Sequence, residues 1–448
     1  MANPRVHLRF AAAATGYLHA GNARQAIVNH LFARAHNGRL TLRIDDTDPE
    51  RTRPAFEAAI EQDLAWLGLA WDDKITQSAR TARYADAAET LKKSGHLYPC
   101  FESEEELAAK RALRIRRKLP PIYDRAMLSL TPSQRAAAEA NGKTPYWRLK
   151  LSDAPVTWTD LILGPRTLRR DTISDPVVIR ADGTPLPLLT SIIDDLDLAI
   201  THIIRGEDHI TETAAQIDLH RALAPHKPLP EFAHLPLITD LTGDKPSRRS
   251  GSVTLRTLRR DGIEPTALAA YLARLGTRHD PEPLTLAELA PTFHLEAHAR
   301  GTPRFDAKQL LALNRRILHT QPFAAVADRL PEGGTEAFWH AIRPTIDLLS
   351  EARHWWTILT MPLDPPDLPE AHPILQTARA TLPPEPWDDT TWKSWTTTIA
   401  AQTNTHGKAL QLPLRLALTG EPTGPDLAAL LPLMTRERVI ERLERAGR

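Results

Sequence analysis

Three short stretches of this 448-residue chain gather side chains that can bind and polarise a charged ligand. His19-Ala20-Gly21-Asn22 stands where a small-residue loop gives way to a helical pattern. Unpaired N–H groups and the dipole at a helix start favour an anion such as a phosphate, the histidine adds a donor, and Gly21 permits close approach of a flat ring or a phosphoryl oxygen. Arg205-Gly206-Glu207-Asp208-His209 follows directly on the apolar run 200–204. An arginine there can grip a carboxylate with both arms of its fork, and the acidic pair after it can hold ribose hydroxyls or an ammonium group. Lys245-Pro246-Ser247-Arg248-Arg249-Ser250-Gly251 follows the apolar stretch 234–238 and would offset charge on a transferring phosphate chain. A second signal is basic: Lys110, Arg111, Arg114, Arg116, Arg117 and Lys118, then Arg166, Arg169 and Arg170, are suited to nucleic-acid phosphates. Alone, the His19 and Lys245 stretches read better as an ordinary loop, and the Arg205 stretch and the basic clusters equally well as a solvated loop or helix face. Their weight comes from a shared position at one predicted sheet edge.

The elements that must position them alternate between short apolar runs and amphipathic stretches, which is the pattern of βαβ units. The spacing predicts a strand over 6–10, a helix over 22–36 stopped by Gly38, a strand over 40–44 ending in Asp45-Asp46-Thr47-Asp48, and a helix over 56–67. From about 98 to 173 the pattern changes to helices over 104–118 and 132–141 and short strands over 146–151 and 155–163, as in an inserted domain. The α/β pattern resumes with strands at 177–179, 192–193, 200–204 and 234–238 and a helix over 212–224. In an open α/β sheet, ligands bind at the C-terminal ends of such strands. Beyond about 255 the chain reads as helices at 266–275, 307–318, 338–349, 389–403 and 426–443, with a proline-rich connector over 361–373 suited to a semi-rigid spacer.

Composition narrows the class. Hydrophobic residues make up 42% and charged residues 25%, without an apolar run of membrane-spanning length, so a soluble, cytoplasmic protein of several cores is expected. The single cysteine, Cys100, cannot form an internal disulfide and has no Cys or His partners at ligand spacing, so no structural zinc is expected. Lys plus Arg at 56 against Asp plus Glu at 55 hides any polarity of the surface, so the distribution of charge matters more than its sum.

Taken in order, these pieces resemble the class I glutamyl-tRNA synthetases of bacterial type, over nearly the whole chain. Arg9-Phe10-Ala11 and the run from Thr15 through His19 and Gly21 to Arg24 are similar to the family's HIGH region. Arg43-Ile44-Asp45-Asp46-Thr47-Asp48, Tyr98-Pro99-Cys100, the run Thr201 to His209 and His234-Leu235-Pro236-Leu237 fit as well. Lys245 to Arg249 resembles the KMSKS signature, and Gly407-Lys408-Ala409-Leu410 with Pro413 to Gly420 resembles the C-terminal helical domain.

The resemblance implies a Rossmann-type α/β catalytic domain in two halves, 1–97 and 176–254, split by an inserted α+β acceptor-stem-binding domain at 98–175. An all-α region follows, contacting the tRNA stem over 255–320 and the anticodon over 321–448. It implies glutamate–tRNA ligase activity in two steps: glutamate attacks ATP to give glutamyl-adenylate and pyrophosphate, and the glutamyl group then passes to the 3′ end of tRNA. His19 and Arg248 would be catalytic. Gly21, Asn22, Glu207, Leu235, Lys245, Ser247, Arg248 and Arg249 would contact ATP, and Arg9, Asp45 and Arg205 would hold glutamate. Mg2+ would accompany ATP, with no protein-held metal. The implied partners are tRNA for glutamate, with tRNA for glutamine left open, and the chain is expected to act as a monomer.

The sequence departs from the family pattern at three places. Ala11-Ala12-Ala13-Ala14 replaces a loop with two prolines and a serine, which predicts a looser loop with some helical preference. Pro187 stands where the family's glutamate pocket has a tyrosine, predicting a lost donor and weakened edge pairing. In the KMSKS-like loop Pro246 takes the second position and Arg248 stands for a lysine. These departures make the alternative a synthetase paralogue that binds tRNA or a partner without charging. An enzyme that glutamylates a tRNA base would lack the helical half, and glutaminyl-tRNA synthetase would have β-barrels there.

Overall fold

In a computed structural model, residues 5–241 and 254–447 are described, and they form two compact units. The first comprises Met1–Arg256 with Ala269–Asp306, the second Thr257–Leu268 with Ala307–Arg448.

The first unit is built on parallel strands. β1 (His7–Ala13), α1 (Ala20–Ala35), β2 (Arg39–Asp45), α2 (Pro54–Trp66) and β3 (Asp73–Thr76) follow in order, with β1 and β3 both pairing parallel to β2. After α3 (Thr81–Lys93) come β4 (Leu97–Cys100), α4 (Glu104–Arg116) and α5 (Pro132–Ala140). β4 joins β5 (Tyr146–Leu149) and β8 (Val177–Ile179) in a small antiparallel sheet. The hairpin of β6 (Val156–Asp160) and β7 (Gly164–Leu168) goes elsewhere: β6 pairs parallel with β10 (Glu231–Leu235), which pairs parallel with β9 (His202–Gly206). β9 lies beside β1, where the Thr201 N–H donates to the His7 carbonyl at 2.9 Å. The parallel strands therefore run β3, β2, β1, β9, β10, with the order reversing between β1 and β9, the point at which doubly wound sheets bind ligands.

Two local readings are corrected. The four alanines are not a loop of helical tendency, because Ala11, Ala12 and Ala13 extend β1 opposite Arg43, Ile44 and Asp45. The turn after them is bonded too, with Thr15 N–H to Ala13 O at 2.8 Å and Arg53 N–H to Ala14 O at 3.2 Å. Residues 192–193 are no strand. They lie within α6 (Pro187–Asp197), whose buried Leu189, Ile192, Ile193 and Leu196 repeat at helical spacing. Pro187 is the first residue of that helix, where no N–H is required, and Leu186 supplies the preceding pairing bond to Val178 O at 2.8 Å. α7 (Ile210–Leu223) follows β9.

The second unit is helical throughout its described residues. Its core joins Trp339, Trp355, Trp392 and Trp395 with aliphatic residues from Leu318 to Leu443. The expected long helices are broken: Glu336–Ile342 stops early, and Pro432 lies between Leu427–Leu430 and Arg436–Ala446. The structure adds helices at Glu351–Thr360, His372–Ala380 and Lys408–Thr419. The proline-rich connector is not a free spacer, since Leu368 N–H bonds Ala446 O at 2.9 Å and Arg445 reaches Leu363 O at 3.2 Å. Arg442, 1% exposed, donates to Leu418 O at 2.5 Å, to Met361 O at 3.1 Å and to Ile358 O, satisfying the carbonyl ends of two helices. No described helix is long and apolar enough to cross a membrane.

Candidate active site

At the β1/β9 reversal lies a cavity of about 840 Å³, in the size range of small-ligand sites. Strand alternation decides which residues face it. Arg9, Ala11 and Ala13 point to the cavity, while Ala12 and Ala14 are buried on the other side. Arg43 and Asp45 share the same face of β2, so small alanine side chains floor the site and charged groups wall it.

The charges are tied together by α6. Arg9 Nε donates to Asp195 Oδ1 at 2.9 Å, and Arg43 Nη1 reaches the same oxygen at 3.3 Å. Arg43 also forks onto Asp45 at 2.7 and 3.2 Å and donates to Ser191 Oγ at 3.0 Å. Among the described residues both Nη groups of Arg9 are left without a partner, although Arg9 lines the cavity.

Arg205 enters from the end of β9. Its Nε donates to His234 Nε2 at 3.3 Å, and Nη2 donates to Thr213 Oγ1 at 2.6 Å and His209 O at 3.3 Å. Nη1 has no partner among the described residues, and no carboxylate there makes an ion pair with this guanidinium. Burial, together with the nearby Arg9 charge, pushes its pKa down to about 10. A buried cation without a counterion is stabilised by an arriving anion. Glu212 and His209, paired at 2.9 Å, add to the wall on this side.

On the other wall His19 is the N-cap of α1. Its Nδ1 accepts the Gly21 N–H at 3.1 Å, while Asn22 Oδ1 accepts the His19 N–H at 3.3 Å. With Nδ1 an acceptor, the ring proton resides on Nε2. His19, Gly21 and Asn22 all line the cavity.

The expected residues are thus only partly brought together. Arg9, His19, Gly21, Asn22, Asp45 and Arg205 share the cavity wall. Glu207 and Leu235 do not: Glu207 Oε1 accepts the Leu237 N–H at 2.9 Å, and Leu235 faces the core at 2% exposure, leaving Leu237 and Ile238 at the wall. Lys245, Ser247, Arg248 and Arg249 lie outside the described residues. The chain on either side of them is at the site: Asp240 lines the cavity, and Leu255 N–H bonds Leu18 O at 3.0 Å. Sequence reasoning missed Asp195, Ser191 and Thr213, and also Arg24. This buried arginine donates to Pro236 O at 2.7 Å and Leu275 O at 3.0 Å, so it holds the segment after β10 against α1.

The family model for the catalytic domain of class I tRNA synthetases (E and Q) matches residues 5–312, and one for an anticodon binding domain matches 361–447. The chain is 64% identical to a protein named glutamate–tRNA ligase 2 from Acidiphilium cryptum, over 99% of this chain and 100% of that one. It is 57% identical to a protein of the same name from Granulibacter bethesdensis, over 98% of each. A crystal structure of a glutamate tRNA ligase from Elizabethkingia meningosepticum in complex with its amino acid superposes with a TM-score of 0.83 at 25% identity, covering 99% of both chains. These relatives favour charging over binding without charging. The chain belongs to the glutamate–tRNA ligases, within the class I aminoacyl-tRNA synthetases that combine a Rossmann-type catalytic domain with a helical anticodon-binding domain.

Proposed function

We propose that this cavity activates glutamate with ATP and passes it to tRNA, with Arg9 and Arg205 on the two carboxylates and Asp45 on the ammonium group. The observation that carries the assignment is the pair of buried guanidinium groups, each with N–H groups unpartnered among the described residues, lining one cavity. A ligand with two negative groups and one positive complements them.

Activation forms a bond from a glutamate α-carboxylate oxygen to the α-phosphorus of ATP and breaks the bond to the bridging oxygen, which leaves with pyrophosphate. Transfer then joins the acyl carbon to a terminal ribose hydroxyl of tRNA and releases AMP. The Nε2–H of His19 and the N-terminus of α1, with Gly21 and Asn22, hold the triphosphate, while Lys245, Arg248 and Arg249 offset charge on the leaving pyrophosphate and Ser247 donates a hydrogen bond to it. Glu207 holds the Leu237 N–H and so bears on the cavity wall through Leu237, while the Leu235 side chain is buried. Mg2+ would accompany ATP and offset part of the charge of its phosphates.

Residues 98–175 hold the acceptor end, 255–320 the stem and 321–448 the anticodon of tRNA for glutamate, with tRNA for glutamine a further substrate to be assayed. The enzyme works as a monomer in the cytoplasm. The test is charging of total bacterial tRNA with labelled glutamate, ATP and Mg2+. Arg205→Ala should lower kcat/KM for glutamate by about a hundredfold or more, as expected for loss of a charge-assisted carboxylate contact, and leave tRNA binding within a few-fold. Equal loss of charging and of tRNA binding would refute the placement of Arg205 on glutamate.

A further inference from the structure

Three neighbouring strands deliver three polar side chains to one buried row. Arg205 on β9 and His234 on β10 are register partners, and Asp160 at the end of β6 pairs with Phe232 on the far side of β10. His234 Nδ1 lies 2.5 Å from Asp160 Oδ2, and His234 Nε2 lies 3.3 Å from Arg205 Nε and 2.9 Å from Thr213 Oγ1. His234 and Asp160 are shut off from solvent, and neither they nor Thr213 lines the cavity; only Arg205 does.

The contacts fix where the protons are. Asp160 Oδ1 already accepts the N–H groups of Ile162, Leu163 and His234 at 3.0, 2.9 and 3.2 Å. Its carboxylate is therefore an ionised acceptor, held below the usual range by these bonds and the imidazole despite burial, and it takes the ring proton on Nδ1. Nε2 is left with a lone pair, which faces both the Thr213 hydroxyl at 2.9 Å and the Nε–H of Arg205 at 3.3 Å. Thr213 Oγ1 accepts from Nη2, so two of the three guanidinium nitrogens are fixed from behind.

We propose that His234, locked in its Nδ1–H tautomer by Asp160, is a positioning residue that sets the roll of the Arg205 guanidinium and aims its Nη1 edge at a glutamate carboxylate. This rests on the reading of Arg205 as a glutamate contact. The groups facing the imidazole are Asp160 from β6, Arg205 from β9, His209 from the turn after β9 and Thr213 from α7. Burial and the Arg205 and His209 charges hold its pKa below the ordinary value against the pull of Asp160. Protonation at low pH would remove the acceptor for Arg205 and place a second cation against it, so glutamate affinity falls as pH drops through the His234 pKa.

The test is steady-state charging by the full chain. It compares His234→Asn, whose amide reaches Asp160 but not Arg205, with His234→Gln, whose carbonyl reaches Arg205 Nε, each alone and with Arg205→Lys. The expected result is a rise of about tenfold in glutamate KM for His234→Asn with ATP KM unchanged, and near-wild-type behaviour of His234→Gln. In the Arg205→Lys background, which has no Nε–H to donate, His234→Asn should add less than about twofold. Wild-type KM in His234→Asn, or the same loss in both backgrounds, would overturn the proposal. Should both His234 variants fail to fold, the wild-type pH profile decides. A glutamate KM that rises on acidification below the ordinary histidine value supports the positioning role, and one that stays flat down to the pH at which the enzyme unfolds overturns it. An Arg205→Lys enzyme with unchanged glutamate KM would instead sink the glutamate reading of Arg205 itself.

Discussion

A β-carbon placed on Gly21 would lie 3.0 Å from Cε1 and 3.1 Å from Nδ1 of His19, closer than ordinary carbon contacts allow. The glycine leaves room for its neighbour's ring, since the imidazole folds back over the first turn of α1 to accept the Gly21 N–H, and an added methyl would press on it. Gly21→Ala should therefore swing Nε2 away from the triphosphate. We expect kcat/KM for ATP to fall by about ten- to a hundredfold, the scale of a misplaced catalytic contact, with glutamate KM little changed. The helix itself should not suffer, because alanine is the better helix former. An ATP-dependent pyrophosphate exchange assay in the presence of tRNA checks this; a wild-type ATP profile would show that the ring is not held by this contact.

What the sequence made legible was local. β1, β2, α1 and α2 were readable because their apolar periods are short and bounded by Gly38 and Pro54, and the strand-to-helix position of His19 followed from them. α6 was also readable in principle: Leu189, Ile192, Ile193 and Leu196 keep helical spacing behind Pro187, but the isoleucine pair resembles a strand. The polar framework behind the site was not legible. Asp160 and His234 are 74 residues apart, and Arg24 bonds carbonyls 212 and 251 residues away. Such pairings are set by sheet order, which no local spacing encodes. Pro187 and the alanines were read as losses because their roles as a helix start and a cavity floor exist only after folding.

Asp195 is shared by two buried cations. Its Oδ1 serves both Arg9 and Arg43, and its Oδ2 is buried with no partner. Asp195→Asn would leave two buried guanidinium groups with one carboxylate fewer, at a cost of about 3–5 kcal/mol of stability. Urea unfolding should show this, and any folded fraction should bind glutamate more weakly because Arg9 loses its anchor. A loss below about 1 kcal/mol would mean that Asp45 and Asp194 balance the cluster without it.

His298 is expected to contribute to acid sensitivity of the first unit. It is 5% exposed, and burial, with Arg24 and Arg274 nearby, holds its pKa down at about 4. The unfolded chain would bind a proton near the ordinary value of 6.5, so its stabilising contribution is full above that pH and is lost as pH falls from about 6.5 to 4. The shift is worth about 3 kcal/mol across that window. His298→Gln should flatten this slope in urea unfolding measured from pH 7 to 4.5. An unchanged slope would assign the acid sensitivity to other groups.

The basic run on and just beyond α4 divides into two sets. Lys110 is paired to Glu102 at 2.5 Å and Asp124 at 3.2 Å, and Arg114 Nε donates to Pro120 O at 2.7 Å, so both serve the local structure around α4. Arg111, Arg116, Arg117 and Lys118 are exposed and make no ion pair among the described residues. If this surface meets the tRNA acceptor end, replacing those four by alanine should weaken tRNA binding at low salt and reduce the slope of log affinity against log salt by up to about three. Lys110→Ala should leave the slope alone and lower thermal stability instead, because the buried Glu102 carboxylate loses its cation. A slope that drops equally for Lys110→Ala and for the exposed set would mean that the internal ion pairs open when tRNA binds. A slope unchanged by either would make this stretch a solvated face and move the acceptor contact to Arg166, Arg169 and Arg170.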